Sequence, residues 1–417
     1  MKLKFLAKTL AAVIIAGASA FAAHAQNGTL TPYSRFGYGM LRDNATSAQR
    51  SMGGIGYAMN SGRQINVMNP ASYARIDSLT FLFDMGVDFT SVWMNEEDVN
   101  ENHIGGGLDY INMQFPLGRY MGASVGVLPY SSVGYSFGNS IDNGSEAREG
   151  GGSINMLYLG VAGRLFKGFS IGANISYMFG TIYNDTYAYT STGSTSLLER
   201  QIDVRDFHLD FGAQYNFDIA RNTFTLGLTY SPGKKLLGHY REYFYDPTVE
   251  NTPEQEAQKL SGNYSLAESW GAGINWRWDN RLMLEADFTY QPWSKAKFPG
   301  IDAAGNNIDN ALADRYKIAV GGEFVPAPRG SYFKRIHYRA GGYWNRDYLQ
   351  IRGNNLKEYG ASIGFGLPVP SFKTMVNLGL EWKQRQGTPN PMIKENYIFV
   401  TLGINFNEMW FRQNKLY

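Results

Sequence analysis

The sequence predicts an all-β protein, an antiparallel transmembrane β-barrel of about fourteen strands with an N-terminal plug (hatch) inside its lumen. Three observations predict this fold. Apolar and small polar residues alternate along most of the chain, the alternating segments reach roughly ten residues, and short connections alternate with long ones. A bilayer tolerates no open sheet edge, so strands of this kind have to close into a barrel.

The clearest alternating segment covers residues 169–180. One face carries Phe169, Ile171, Ala173, Ile175, Tyr177 and Phe179, and the other carries Ser170, Gly172, Asn174, Ser176 and Gly180. Because a strand repeats every two residues, the segment has one apolar and one mostly polar face. The pattern recurs at residues 207–215, 282–290, 376–382 and 398–406. Small polar side chains on the second face suit a hydrated lumen.

The connections differ in length from one end of the predicted strands to the other. Short ones lie at residues 117–119, 167–168, 278–281 and 368–371, and long ones at 93–102, 139–152, 181–200, 235–262, 294–314 and 346–355. Short periplasmic turns and long outer loops are typical of outer-membrane barrels. Aromatic residues at strand ends predict interfacial girdles, namely Trp93, Tyr130, Trp276, Trp278, Trp293, Trp344, Trp382 and Trp410.

The first 25 residues predict an export signal. Lys2, Lys4 and Lys8 precede an apolar run, and Ala23-His24-Ala25 forms a cleavage site, so the mature chain is expected to start at Gln26. Removing three lysines changes 38 basic against 36 acidic residues into 35 against 36, a net charge of −1. That balance excludes a nucleic-acid partner, which requires a basic patch. The absence of cysteine excludes disulfides and cysteine-bound metals.

Residues 26–78 lack sustained alternation and are rich in Gly, Asn, Ser and Met, and the predicted barrel occupies residues 79–417. A segment with so many apolar residues is not expected to remain disordered. A barrel of about fourteen strands also has a lumen too wide for its own wall side chains to fill. We therefore assign residues 26–78 to a plug inside the barrel.

No catalytic or metal site is predicted, and no cofactor. Residues 360–364 spell G-x-S-x-G, but they continue an alternating strand instead of a strand–turn–helix corner. Residues 231–234 spell S-x-x-K where a strand leaves the membrane, and His208 and Asp210 have no serine beside them in sequence. Four acidic residues cluster in the first predicted outer loop: Glu96, Glu97, Asp98 and Glu101. Their oxygen atoms suit Ca²⁺, but a solvated loop is the favoured interpretation.

Asn69-Pro70-Ala71, at the end of this glycine-rich segment and just before the first strand, resembles the hatch of the FadL-type outer-membrane transporters of long-chain fatty acids and hydrocarbons. The opening Pro32-Tyr33-Ser34-Arg35-Phe36-Gly37 is similar to the Bacteroidota-type branch of that family. The resemblance spans the mature chain and implies fourteen strands and an N-terminal hatch. A Pro-fixed turn entering the barrel wall is the alternative interpretation of Asn69-Pro70-Ala71.

The resemblance also implies a route for an apolar ligand. In FadL-type proteins the ligand reaches a pocket against the hatch and leaves through a gap made by a kink in the third strand. Here the third segment contains Pro129 with Ser131 and Gly134, and proline breaks a strand ladder. The alternative is that Pro129 sits at the outer end of its strand.

Inward-facing Arg164, Arg315, Lys317 and Arg339 are candidate partners for a ligand carboxylate. The favoured alternative is structural, in which they pair with the lumen or plug acids Asp84, Asp210, Glu285, Asp287 and Glu323.

Two function classes follow for a multi-pass protein of a Gram-negative outer membrane. The first is passive uptake of hydrophobic molecules such as fatty acids, driven by about 0.8 kcal/mol per buried CH₂. The second is a scaffold or shuttle subunit of an outer-membrane secretion or assembly complex, as the resemblance implies for accessory barrels of type IX secretion. The expected partners are the outer-membrane bilayer, a hydrophobic ligand and, in the second class, an outer-membrane protein complex. A carrier requires an apolar cavity beside the plug, and a scaffold requires a blocked lumen.

Overall fold

The computed structural model describes residues 30–96, 99–141, 144–191, 195–245, 258–301, 307–308, 310–369 and 374–409. The predicted export signal at residues 1–25 lies outside this range, as do Glu97, Asp98 and Trp410. In the described residues, no helix has the length and hydropathy that crossing a membrane requires.

Fourteen antiparallel strands follow one another around a closed barrel, which confirms the predicted fold class. They are β1 (Thr80–Glu96), β2 (Val99–Pro116), β3 (Met121–Ile141), β4 (Gly144–Phe166), β5 (Phe169–Thr190), β6 (Thr195–Ile219), β7 (Asn222–Ser231), β8 (Ser269–Trp278), β9 (Leu282–Gln291), β10 (Arg315–Phe324), β11 (His337–Ile351), β12 (Asn354–Pro368), β13 (Met375–Thr388) and β14 (Lys394–Met409). Pairing of β14 with β1 along the length of β1 closes the cylinder.

Short elements occupy the N-terminal segment and the connections. The N-terminal segment, residues 30–78, contains 3₁₀-helices Pro32–Arg35 and Pro70–Arg75, the single-turn α-helix Ser47–Arg50 and a two-residue strand, Met40–Leu41. The connections contain short strands Lys234–Lys235, Gly238–Tyr245, Gln258–Lys259, Ser265–Leu266, Gly300–Ile301 and Asn307–Ile308, 3₁₀-helices Leu260–Gly262 and Trp293–Lys295, and α-helix Tyr332–Arg335.

The wall has the two faces that the alternation predicts. In β5, Ile171, Ile175 and Phe179 are exposed on the outside, whereas Asn174 and Ser176 are buried inside. Exposed apolar side chains recur in the same way in the other barrel strands. Because such a surface is stable only against lipid, the barrel is built for a membrane.

Several predicted outer loops are instead extensions of the strands, so those loop predictions were wrong. Residues 93–102, 139–152, 181–200 and 346–355 are largely strand in the described range, and β6 reaches 25 residues. Within residues 235–262, the strand Gly238–Tyr245 pairs with the outer part of β6. Backbone pairing continues beyond the membrane because it needs no apolar face, and the alternation that predicted the strands therefore ends before they do.

The aromatic prediction holds only in part. Trp93, Trp278 and Trp382 are exposed, as an interfacial girdle requires. Trp293 is buried and packs inside the barrel, with its ring centroid 5.9 Å from that of Tyr38 and 4.8 Å from that of Tyr348. Tyr130 also packs inward, on a cluster shared with Leu128 and Val133. These two residues fill the lumen instead of facing lipid.

The N-terminal segment contacts the inner face of the wall on several sides. Its helix Ser47–Arg50 packs on β12, β13 and β14, and its helix Pro70–Arg75 packs on β3, β4, β5 and β6. The first of these helices is closed by a capping box, in which Gln49 and Thr46 each bond the other's backbone N–H. The segment thereby bridges opposite walls of the cylinder.

Candidate functional site

The wall contains an incomplete seam between β2 and β3. Their hydrogen-bonded ladder covers six residue pairs, from Pro116–Gly122 to Ile111–Val127. Beyond Val127, β2 continues along β1 alone and β3 continues along β4. The outer parts of β2 and β3 therefore carry no ladder between them.

The three residues predicted for a kink in the third strand all lie at this seam. The register of β3 against β4 shifts between Pro129 and Ser131, as expected where proline supplies no backbone N–H. Pro129 lies in the interior of β3, so its alternative placement at the outer end of the strand was wrong.

The N-terminal segment occupies the free edge of β3 above the seam. Met40 and Leu41 pair in register with Ser132 and Ser131. The Arg42 backbone N–H donates to the carbonyl of Tyr130 at 2.9 Å. At the other end of the contact, the Thr31 N–H donates to the carbonyl of Gly134 at 2.8 Å, and the Ser34 hydroxyl also contacts the Gly134 backbone. The segment thus replaces β2 as the partner of this edge.

A cluster of two arginines and two aspartates holds the same segment to β1 and β2. Arg42 lies 2.9 Å from Asp88 and 3.0 Å from Asp109, and Arg50 lies 3.4 Å and 2.8 Å from the same two carboxylates. Asp109 faces inward because a bulge between Gly86 and Val87 shifts the β1–β2 register. We call these four residues the seam cluster.

Asp43 connects the segment to the opposite wall. Its carboxylate is 3.0 Å from the Arg315 guanidinium and 2.5 Å from the Lys317 ammonium. Burial raises the pKa of the Asp43 carboxyl, but the charges of Lys317 and Arg315 outweigh burial and hold this pKa well below its usual range. The carboxylate therefore stays charged at neutral pH.

The other predicted cations have varied partners. Arg339 lies 2.8 Å from Glu323, one of the acids that the structural interpretation named. Arg164 donates to the carbonyl of Ala74 at 3.5 Å and lies over the Tyr120 ring, 5.9 Å from its centroid. Arg315 and Lys317 pair with Asp43, which that interpretation did not name. A ligand carboxylate would have to compete with these contacts at Arg315, Lys317 and Arg339.

A polar cavity of about 130 Å³ lies between the segment and the wall, and we call it the central cavity. Six cations and five acids line it: Arg42, Arg50, Arg315, Lys317, Lys383 and Arg385, with Asp43, Asp109, Asp347, Glu358 and Glu381. Arg385 forms ion pairs with Glu358 and, at 3.2 Å, with Glu395. The Thr31 hydroxyl donates to Glu395. The space beside the segment is therefore charged, not apolar.

The Asn69-Pro70-Ala71 motif fixes the end of the segment to β6 and β7. Asn69 is fully buried and caps the helix Pro70–Arg75 by accepting from the Ala71 N–H at 3.1 Å. Its amide group donates to the carbonyls of Tyr57 (2.7 Å), Ala213 (3.3 Å) and Leu228 (3.4 Å). The motif therefore joins a helix cap to a wall contact.

Inward-facing acids bind the backbone of the segment. Asp287 accepts from the N–H groups of Gly56 (2.6 Å) and Tyr57 (3.0 Å), and Glu285 accepts from that of Ala58 at 2.9 Å. Asp84 instead accepts from the Tyr110 hydroxyl at 2.9 Å within the wall. Glu285 and Asp287 pair with no predicted cation, because the segment's own N–H groups occupy them.

The sequence motifs considered for catalysis have structural roles in the barrel. Residues 360–364 lie within β12, where the Ser362 hydroxyl accepts from the Gly53 N–H at 2.8 Å. His208 lies 3.1 Å from Asp210, and Ser231 donates to that same aspartate instead of to the imidazole. This arrangement lacks the nucleophile–base contact that acyl transfer requires. Among the described residues, no group of three His, Asp or Glu could hold a metal ion.

Sequence reasoning missed Arg42, Asp43 and Arg50. Their signal was present, because they are charged residues in a segment otherwise composed mainly of small, apolar and amide side chains. Charges in such a segment need buried partners. Asp88 and Asp109, on the inward face of the wall, were the matching signal.

The solved structures that share this fold include the following three. A FadL homologue of Pseudomonas aeruginosa is 14% identical, with a TM-score of 0.58 and coverage of 89% of this chain and 99% of its own. The P. putida toluene transporter TodX is 12% identical, with a TM-score of 0.61 and coverage of 88% and 98%. The Ralstonia pickettii toluene transporter TbuX is 12% identical, with a TM-score of 0.57 and coverage of 87% and 98%. TodX and TbuX are toluene transporters.

No curated protein matches the sequence. A family model described as BamG matches residues 6–417, nearly the whole chain. The chain therefore belongs to the BamG family, and its barrel is of the FadL type.

Proposed function

We propose that this protein lies in the outer membrane of a Gram-negative bacterium and passes hydrophobic molecules through the β2–β3 seam. Residues 30–78 act as the plug that closes this route. The observation that carries the proposal is the missing ladder above Val127, where the segment pairs with β3 in place of β2. Transport by proteins of the same fold supports it.

The seam is closed by contacts that can be released without breaking the barrel. Met40 and Leu41 supply a two-residue ladder, whereas the wall elsewhere is joined by longer ones. The seam cluster adds charge pairs at the same place. Displacing residues 30–42 would expose a gap between β2 and β3 while the other strand pairs remain intact.

A ligand would have to move side chains that now fill the outer part of the lumen. Tyr38, Trp293 and Tyr348 pack there in one buried cluster with Leu349. An alkyl chain or an aromatic ring entering this cluster would exchange one set of apolar contacts for another. Each CH₂ withdrawn from water contributes about 0.8 kcal/mol, so a fatty chain gains enough to compete.

A cross-link between the segment and β3 tests the proposal. The chain has no cysteine, so Leu41→Cys with Ser131→Cys, which are register partners, introduces a single pair. We expect oxidation to lower uptake of radiolabelled oleate, or of toluene, into proteoliposomes at least fivefold, and reduction to restore it.

The matched control places the pair in an intact ladder, with Ala340→Cys and Ile363→Cys on the lipid face of β11 and β12. Its oxidation should leave uptake unchanged. Full uptake by the oxidised Leu41–Ser131 variant would refute the seam as the route.

A second function, a scaffold in an outer-membrane protein complex, is favoured by a different observation. The central cavity between the segment and the wall is small and lined by charged side chains, which is unsuited to an apolar ligand. Native mass spectrometry of the gently solubilised protein separates the two functions. A co-purified fatty acid or other lipid supports transport, and a stable protein complex without lipid supports the scaffold.

A further inference from the structure

A second cavity, of about 450 Å³, opens at the end of the barrel that carries the short turns. Four arginines line it: Arg75 from the N-terminal segment, and Arg119, Arg164 and Arg277 from the wall. Among the described lining residues, Asp77 is the one acid. We call this cavity the arginine basin.

The four guanidinium groups are held by neutral partners. Arg75 donates to the Asn60 side-chain oxygen at 2.8 Å, and Arg277 donates to the Asn60 carbonyl at 3.2 Å. The Arg119 guanidinium stacks over the Tyr120 ring at 5.2 Å. In the described part of the chain, no carboxylate forms an ion pair with any of the four.

Neutral acceptors orient an arginine but do not cancel its charge. The basin therefore keeps a positive potential that its walls concentrate. Burial lowers the pKa of Arg75 and the nearby charges of Arg164 and Arg277 lower it further, while Asp218 acts in the opposite direction.

The turns around the basin extend the same charge. Among the described residues of the strand-to-strand connections at this end, seven are basic and one is acidic. The basic ones are Arg119, Lys167, Arg221, Arg281, Arg329, Lys334 and Arg335, and the acid is Asp279. A single small anion would use only part of this surface, whereas a longer acidic chain would use all of it.

The basin also faces away from lipid. Arg75 belongs to the segment inside the barrel, and Arg277 contacts that segment through Asn60. The side chains that these strands turn toward lipid are different ones, such as Leu165 and Trp278, which are exposed on the outside. Phospholipid headgroups therefore meet the outer rim and not the basin.

We propose that the arginine basin docks an Asp- or Glu-rich segment of a periplasmic protein. Arginine suits this partner because its planar fork can bind a carboxylate with two parallel hydrogen bonds. Several such carboxylates on one extended chain could reach the basin and the basic turns together. The inference does not depend on whether the barrel transports a ligand.

The test uses the full-length protein in lipid nanodiscs and a fluorescent decapeptide of alternating Asp and Glu. We expect binding that weakens as salt is raised from 50 to 300 mM, because salt screens exposed charges. The triple variant Arg119→Gln, Arg164→Gln, Arg277→Gln should bind at least tenfold more weakly. A neutral Asn-Gln decapeptide should not bind.

Two further variants keep the test decisive. Arg119→Glu changes only an exposed turn residue, so it should fold normally and still lose about fivefold in affinity. Arg205→Gln with Arg241→Gln removes two cations toward the outer end of the barrel and should leave binding unchanged.

Undiminished peptide binding by a folded triple variant or by Arg119→Glu would overturn the proposal. Inorganic phosphate that binds as tightly as the peptide would make the basin a small-anion site instead. If only phosphatidylglycerol vesicles lost affinity for the variants, the surface would bind lipid and the docking proposal would fail.

Discussion

The central cavity and the arginine basin use the same kind of side chain in opposite ways. In the central cavity six cations meet five acids, and the N-terminal segment supplies both signs. In the basin four arginines meet one aspartate, and Arg75 and Arg277 donate to neutral oxygen atoms. The comparison teaches that pairing, not residue type, separates a cation that holds the fold together from one that remains available to a partner.

Burial explains why the two regions differ. The side chains of Arg315 and Lys317 are each 8% exposed, so leaving them unpaired would be costly. Arg119 lies on an exposed turn, where water solvates its charge. Predictions that remove one charge from each region therefore test the comparison directly.

The largest effect is expected for Asp43→Ala, which leaves Arg315 and Lys317 without their carboxylate. Breaking a buried pair costs about 3–5 kcal/mol, and the partial exposure of Asp43 to the cavity reduces this to about 2–4 kcal/mol. The free energy of unfolding in urea, followed by tryptophan fluorescence in detergent micelles, measures it. A loss below about 0.5 kcal/mol would contradict the assigned role of this pair.

The pH dependence of the same pair has a definite sign. The pKa of Asp43 is depressed in the folded protein, so its stabilisation is complete above the ordinary aspartate pKa of about 3.9. It is lost as the pH falls through the lower, folded value. The stability difference between wild type and Asp43→Ala should therefore be constant from pH 7 to pH 5 and shrink below about pH 3.9. A difference that vanishes at pH 5 would be inconsistent with this carboxylate.

Arg50→Gln should have an intermediate effect, because Arg42 still contacts both Asp88 and Asp109. We expect a loss of about 1–3 kcal/mol, in the range of one charged hydrogen-bonding partner. Hydrogen exchange should report faster exchange at the Leu41 and Arg42 amides, near the seam. Arg205→Gln, at an arginine whose side chain is 69% exposed, is the control and should leave these amides unchanged.

Asn69→Ala removes a helix cap and leaves the carbonyls of Tyr57, Ala213 and Leu228 without this donor. Loss of a cap costs about 1 kcal/mol, and the unsatisfied carbonyls bring the expected loss to about 1–2 kcal/mol. Urea unfolding measures the change. An Asn69→Asp variant keeps the cap acceptor but not the amide donor, so it should recover only the capping part.

The smallest effect is expected for Asp77→Ala in the arginine basin. Asp77 is exposed and pairs with none of the four arginines, so stability should change by less than about 0.5 kcal/mol. Affinity for the acidic decapeptide should rise, because the basin loses its one described acid. A loss of stability as large as that of Asp43→Ala would erase the contrast between the two regions.

The strands of the wall could be predicted from the sequence because their side chains alternate between the lipid face and the lumen face every two residues. The alternation at residues 169–180 placed Ile171 and Ile175 outward and Asn174 inward, as observed. The outer strand extensions could not be predicted, because polar residues cover both faces there and backbone pairing leaves no pattern. Trp293 was assigned to a girdle because an aromatic residue in a loop does not reveal which side of the wall it faces.

The site was less predictable than the wall. The ion pair between Arg339 and Glu323 could be predicted because both residues face inward on neighbouring strands. Asp43 with Arg315 and Lys317 joins an irregular segment to a strand more than 270 residues away. No repeat relates such a segment to the wall. Its unpaired charges pointed to buried partners without identifying them.

The close fit between segment and wall has a consequence for biogenesis. Gly172, Gly212, Gly227, Gly321 and Gly341, on five different strands, each touch the segment so closely that an added Cβ would lie within 2.6 Å of it. A finished cylinder would offer no passage wide enough to thread this chain into such tight clefts. We therefore expect the N-terminal segment to be in position before β1 and β14 pair and close the cylinder around it.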